Sequence, residues 1–213
     1  MYRFWRFIFV SFVKIFFPYK VIHKERAKVD GAKVVIANHL SNCDPFMVGS
    51  CFEEKIYFLA KKEWFKRKIV TSVIRTIGGI PVDRGNVDLN AIKESLRTLR
   101  NGSKLGIFPE GTRNKTDAEL LPLKSGAAVI AVKAKANFLP IYIYEKSRFL
   151  RRNYVYIGEE VSLEKYFGEK MTKELEDELT AVMKNAILDT KKACLEYLGS
   201  KKKGKKKKGE NKD

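Results

Sequence analysis

The stretch Asn38-His39-Leu40-Ser41-Asn42-Cys43-Asp44-Pro45-Phe46 follows the apolar run 34–37 directly and gathers residue types that move protons and attack carbonyls. An aspartate five residues after a histidine can hold one ring nitrogen and fix the tautomer, leaving the other nitrogen as a general base. The alternatives for His39 are a metal ligand, a partner that activates Cys43 as a nucleophile, or a plain turn residue. Asp44-Pro45 also reads as an N-cap and first-turn pair opening a helix over 45–53, and a carboxylate has oxygens enough for a cap and a histidine. The other histidine, His23, has no comparable partner and reads as structural or exposed. Cys43, Cys51 and Cys194 form no C-x-x-C, so neither a disulfide framework nor a zinc site has sequence support, and a reducing compartment is expected.

Two more loops carry reactive types. GGIPVDR (78–84) ends on Arg84, and FPEGTR (108–113) follows the apolar run 105–108. Gly111 allows a tight turn that brings backbone N–H groups near a ligand. Arg113 offers a planar fork for phosphate, and Arg84 a second cation. Such loops meet where strands end and helices begin. Strands are predicted at 33–37, 56–60, 105–108, 138–144 and 154–157, and helices at 45–53, 63–76, 87–101, 125–136 and 171–198. The alternation predicts a single-domain α/β sandwich with a mostly buried mixed sheet. No G-x-G-x-x-G follows a strand and no P-loop occurs, so nucleotide chemistry has no support.

The ends differ from this body. Residues 4–17 are mostly apolar and rich in aromatics up to Pro18, too short as a helix to cross a bilayer. Arg3, Arg6, Ser11 and Lys14 share one side, so residues 1–22 are expected to form an amphipathic helix in the membrane interface, basic side toward the headgroups; an ordinary helix packed on the domain is the alternative. Segment 61–79 is a second basic amphipathic stretch. The domain proper is expected over 23–199. Residues 200–213 are Lys-rich with no apolar residue and are expected to be disordered. The net charge of +18, from 43 basic and 25 acidic residues, favours an anionic partner without choosing between lipid and nucleic acid.

NHLSNCD, GGIPVDR, FPEGTR and FLPIYI (138–143) together resemble the ordered blocks of the glycerolipid acyltransferases, of the bacterial 1-acylglycerol-3-phosphate acyltransferase type, with a further similar LKSGAA at 123–128. The resemblance implies O-acyl transfer in phospholipid biosynthesis, from acyl-CoA or acyl-carrier protein to the sn-2 hydroxyl of lysophosphatidic acid, giving phosphatidic acid. It implies neither metal nor other cofactor, and no nucleic acid. On that reading His39 is the base and Asp44 its orienter, the acceptor alcohol standing in for a nucleophilic side chain. Cys43 is not part of the family pattern. Arg84, Arg113 and Lys61, in the family-like AKKEW stretch, are expected at the acceptor phosphate, with Gly111 and Thr112 shaping the loop. Glu110 would repel a phosphate and is expected at an acceptor hydroxyl or against Arg113. Glycerol 3-phosphate or another lysophospholipid is the alternative acceptor, and a non-catalytic basic binding protein the reading from another class. The expected location is the cytoplasmic face of the membrane, peripheral or monotopic.

Overall fold

The computed structural model describes residues 1–83, 85 and 88–210, with side chains as far as Lys201. Helix α1 (Tyr2–Phe16) leads into β1 (Tyr19–Ile22) and β2 (Lys33–Ala37). Next come α2 (Asp44–Gly49), β3 (Ile56–Lys61), α3 (Lys68–Thr76) and β4 (Gly79–Val82). The second half runs α4 (Leu89–Arg100), β5 (Lys104–Ile107), α5 (Gly126–Lys133), β6 (Asn137–Ile143), β7 (Asn153–Ile157) and α6 (Lys173–Glu210). The strands form one seven-stranded sheet in the order β1-β7-β6-β2-β5-β3-β4. Every neighbouring pair is parallel except β6–β7.

The central strand explains why an unbroken apolar run becomes a strand rather than a surface element. In β2, residues Val34 to Ala37 are all buried, because helices cover both faces of the sheet. Side chains alternate between faces. Val34 and Ile36 join a cluster with Leu99 of α4, Ala128 of α5, and Leu179 and Met183 of α6. Val35 and Ala37 join the other cluster with Val13 of α1, Met47 and Val48 of α2, and Phe52. All five strands expected from the sequence are present.

The sheet gains two strands that the apolar pattern does not mark. β1 is short and carries Lys20. β4 has Gly79 and Pro81, which read as a loop. It lies at the sheet edge, where a missing N–H is tolerated. The helix expected over 63–76 divides into a 3-10 turn at Lys62–Lys66 and α3, because Arg67 between them is extended. The helix expected over 45–53 runs only Asp44–Gly49. α6 continues to Glu210, so its last turns enter the Lys-rich segment expected to be disordered; lysine suits a helix intrinsically, although this stretch has no apolar side to pack. Residues 211–213 lie outside the described residues. No described helix is long and apolar enough to cross a membrane.

α1 combines the two alternatives read from the sequence. Val13 is buried against the domain, and Phe9 stacks on Phe46 of α2 at 5.1 Å. Phe4, Phe7, Ile8, Phe12 and Ile15 stay exposed, and their spacing puts them in one stripe. Arg6 departs from the expectation of a shared basic face. It turns inward and donates from Nη2 to the Phe52 carbonyl at 2.6 Å, because the loop after α2 offers a main-chain acceptor within reach.

Candidate active site

His39 leaves the C-terminal end of β2, at the sheet edge where the parallel strands finish. Its backbone is gripped from both sides. The His39 N–H donates to Glu110 Oε1 at 2.7 Å, and the His39 carbonyl accepts from the Asn114 N–H at 2.7 Å. One residue earlier, Asn38 is buried and extends the β2–β6 ladder with its side chain. Its Nδ2 donates to the Ile143 carbonyl at 2.9 Å, and its Oδ1 accepts from the Ile143 N–H at 2.8 Å. The buried amide thus has partners on both sides, and the start of the loop is fixed.

The imidazole lies 4.2 Å from the Phe108 ring, nearly parallel to it, and His39 is only 7% exposed. Its Nδ1 is 2.9 Å from Asp44 Oδ2. The same oxygen accepts from Leu40 N–H at 2.6 Å and Ser41 N–H at 2.7 Å. Three donors around one oxygen assign the Nδ1 proton to the side facing Asp44, and Nε2 then carries the lone pair of the neutral ring. Asp44 is fully buried. The N-cap reading of Asp44 is corrected: α2 starts at Asp44 itself, with Pro45 in its first turn and Cys43 at the cap position. The carboxylate bends back onto the preceding loop rather than forward onto the helix.

Cys43 is half-buried, and burial pushes its thiol above the ordinary value, with the Asp44 charge adding to the rise. A thiol shifted that way holds less thiolate at neutral pH. Among the described residues no hydrogen bond joins it to His39, whose Nδ1 belongs to Asp44.

The FPEGTR loop closes the site from β5. Gly111 has a φ of +67°, a region glycine enters without strain, and the Lys124 side chain lies against it; a Cβ there would come within 2.9 Å of Lys124 Cε. Glu110 is placed otherwise than expected. Its Oε1 accepts from His39 N–H, and its Oε2 accepts from Leu121 N–H at 2.9 Å. Both oxygens brace main chain instead of reaching for an acceptor hydroxyl or Arg113, because the loop folds over a buried carboxylate that needs donors. Burial raises the Glu110 carboxyl above its ordinary value, against the pull of those two N–H groups. Thr112 is exposed and Arg113 half-buried.

A cavity of about 710 Å³ opens beside His39. Its walls are mostly apolar: Trp5, Phe9 and Val10 of α1, Phe46 of α2, Phe58 of β3, and Ile69, Val70, Val73 and Ile74 of α3. Arg113 and Lys61 also line it. Lys61 is half-exposed and pairs with Glu63 at 3.0 Å. Arg84 lies outside the described residues. The apolar side of α3 therefore faces this cavity rather than the core, and none of the helix is buried. Phe58 lies between Gly106 and the cavity and stacks on Phe108, 6.1 Å away, which in turn carries His39. A Cβ on Gly106 would fall 2.2 Å from Phe58 Cε1, so the glycine makes room for this ring. Among the described residues no three of His, Cys, Asp and Glu group as metal ligands.

The sequence motifs thus bring His39, Asp44, Glu110, Gly111 and Arg113 to one sheet edge, with Lys61 at the cavity. Asn38, Asn114, Phe108 and Gly106 also shape the site without a chemical signal of their own in the sequence. Asn38 and Phe108 stand inside the quoted blocks, but their partners are distant in sequence.

The fold and site together are those of a parallel-rich α/β sheet carrying a buried His–Asp pair, with Arg113 on the wall of an apolar cavity. The family model for the Acyltransferase domain matches residues 19–144, more than half the chain, and the protein belongs to the acyltransferase family. Among its relatives, the 1-acyl-sn-glycerol-3-phosphate acyltransferase of Bacillus subtilis is 37% identical over 57% of this chain and 60% of its own length. The enzyme of that name from Borreliella burgdorferi is 29% identical over 58% of this chain and 50% of its own. The matches span only about half to three-fifths of these relatives. The crystal structure of the 1-acyl-sn-glycerophosphate acyltransferase PlsC from Thermotoga maritima superposes with a TM-score of 0.65 at 28% identity, covering 89% of this chain and 79% of that one.

Proposed function

We propose that this protein transfers a fatty acyl group from an acyl thioester, acyl-CoA or acyl-carrier protein, to the sn-2 hydroxyl of 1-acyl-sn-glycerol 3-phosphate, releasing phosphatidic acid and a free thiol. The observation that carries this reading is the buried His39–Asp44 pair at the wall of an apolar cavity that also holds Arg113. An alcohol is a weak nucleophile at neutral pH. His39 Nε2 takes its proton as the oxygen attacks the thioester carbonyl. Asp44, hydrogen-bonded to Nδ1, stabilises the imidazolium that results. The tetrahedral intermediate then collapses, the C–S bond breaks, and the imidazolium returns a proton to the leaving thiolate. No acyl-enzyme, metal or other cofactor is required by this scheme.

Arg113, and Lys61 once released from Glu63, hold the acceptor phosphate, with Arg84 as a second guanidinium. Glu110 acts on the backbone of His39 and so positions the base. Acyl chain runs into the cavity between α1 and α3, whose lining suits hydrocarbon. The exposed stripe of α1 and the net charge of +18 support catalysis at an anionic membrane surface, in the cell on its cytoplasmic face. Labelled acyl-CoA and labelled acyl-carrier protein, each offered with lysophosphatidic acid or glycerol 3-phosphate, test the assignment. Labelled phosphatidic acid from lysophosphatidic acid is the expected product. Transfer to glycerol 3-phosphate alone, or no transfer by folded protein, overturns it.

A further inference from the structure

The segment joining β6 to β7 belongs neither to the motif blocks nor to the cavity. Arg148 and Arg151 face each other in an isolated antiparallel bridge, with the Arg151 N–H donating to the Arg148 carbonyl at 3.1 Å. The tip between them is Phe149-Leu150, and each is 62% exposed. Leu150 has a φ of +54°, a turn conformation that glycine or asparagine adopts at lower cost than leucine. A turn that only reversed the chain in water would gain nothing from leucine there. The tip is also fastened: the Leu150 N–H donates to the Phe16 carbonyl at 2.7 Å, and the Phe149 ring stacks on Phe16 at 5.8 Å. It is thereby continuous with the exposed stripe of α1 through Phe12 and Ile15.

Lys146, Arg148, Arg151 and Arg152 surround the tip, all exposed and none in an ion pair among the described residues; Glu145 is the acid beside them. Since β6 runs parallel to β2, this hairpin leaves the same sheet edge as His39. We propose that the Phe149-Leu150 hairpin is a second membrane-docking element: the two apolar side chains enter the headgroup boundary of an anionic bilayer while the flanking arginines meet lipid phosphates. This rests on the membrane-surface reading above. A bilayer fits better than a protein partner because one broad apolar boundary under an anionic layer can cover both the tip and the α1 stripe while answering the ring of cations.

The test is co-sedimentation of the full chain with phosphatidylcholine vesicles, with and without about a third phosphatidylglycerol, a fraction chosen to give a strongly anionic surface. The variants are Phe149→Ser/Leu150→Gly, where the glycine suits the positive φ, and Arg148→Gln/Arg151→Gln/Arg152→Gln. Wild type is expected to bind the anionic vesicles. The apolar double variant should bind at least tenfold more weakly, and the arginine variant should lose roughly fivefold per charge, both keeping wild-type turnover in detergent micelles. Undiminished vesicle binding by both variants overturns the hairpin proposal and leaves the membrane reading standing. Wild type that binds no vesicles overturns both. Variants that bind vesicles normally but lose turnover with acyl-carrier protein alone identify a protein-docking hairpin, and also overturn the proposal.

Discussion

The two sides of the cavity are built by different physics. On the His39 side, geometry is held by hydrogen bonds of 2.6 to 2.9 Å, most of them to backbone groups and inside the packed edge of the sheet. On the α3 side, apolar side chains line the space and no residue of the helix is buried. The first arrangement fixes one imidazole relative to one carboxylate. The second surrounds a space with apolar side chains and few directional contacts, and such a wall opens at lower cost than the core. Reaction geometry is sensitive to small displacements, whereas a hydrocarbon chain needs only a dry volume.

The contrast can be broken from the strict side first. His39→Ala should lower kcat/KM by roughly 10²–10⁴-fold, the usual contribution of a general base, with Cys43→Ala near wild type. Steady-state kinetics in detergent would show it. Gly106→Ala should come next. Its methyl must displace Phe58, and overpacking of this kind costs about 1–3 kcal/mol. Because Phe58 leads through Phe108 to His39, turnover should fall further than stability does. Phe58→Leu in the same chain should recover both, as denaturant unfolding and kinetics would record.

Truncations on the two sides give a smaller, direct comparison. Ile36→Ala in the core should cost roughly 2–5 kcal/mol. Ile74→Ala on α3 should cost about 1 kcal/mol or less, since that residue is only half-buried. It should instead alter the preference for acyl-chain length, read from a series of donors. An equal loss of stability at both positions would erase the contrast. The smallest expected effect is in Glu110. Its carboxyl is raised above 4.5 in the folded protein, so the proton favours the fold. That contribution is complete below the unfolded value and is lost as pH rises through the folded value. Glu110→Gln should flatten this part of the stability profile while lowering activity, because an amide cannot accept from both His39 and Leu121.

Much of this architecture was legible because the central strands are buried on both faces and therefore appear as unbroken apolar runs. β4 was not, since Gly79 and Pro81 look like a turn unless the strand is known to lie at an edge. Arg67 likewise gave no sign that it would break the helix between Lys66 and Lys68. In the site, His39 and Asp44 stand five residues apart, so their pairing is local and readable. Asn38 acts on Ile143, Glu110 on His39 and Leu121, and Gly106 on Phe58. Those contacts exist only once the sheet has ordered its strands. The inward turn of Arg6 has the same origin: helical spacing gives a direction around α1, but the Phe52 carbonyl it meets belongs to another element.

His39 and Asp44 are expected to work as one unit. A double-mutant cycle in kcat/KM with His39→Ala, Asp44→Asn and both together, each verified as folded, tests this directly. If Asp44 acts through the imidazole, the double variant should be little worse than His39→Ala alone. Losses that multiply, with Asp44→Asn still harmful when the imidazole is gone, would contradict the account and leave Asp44 a role in the loop independent of the base.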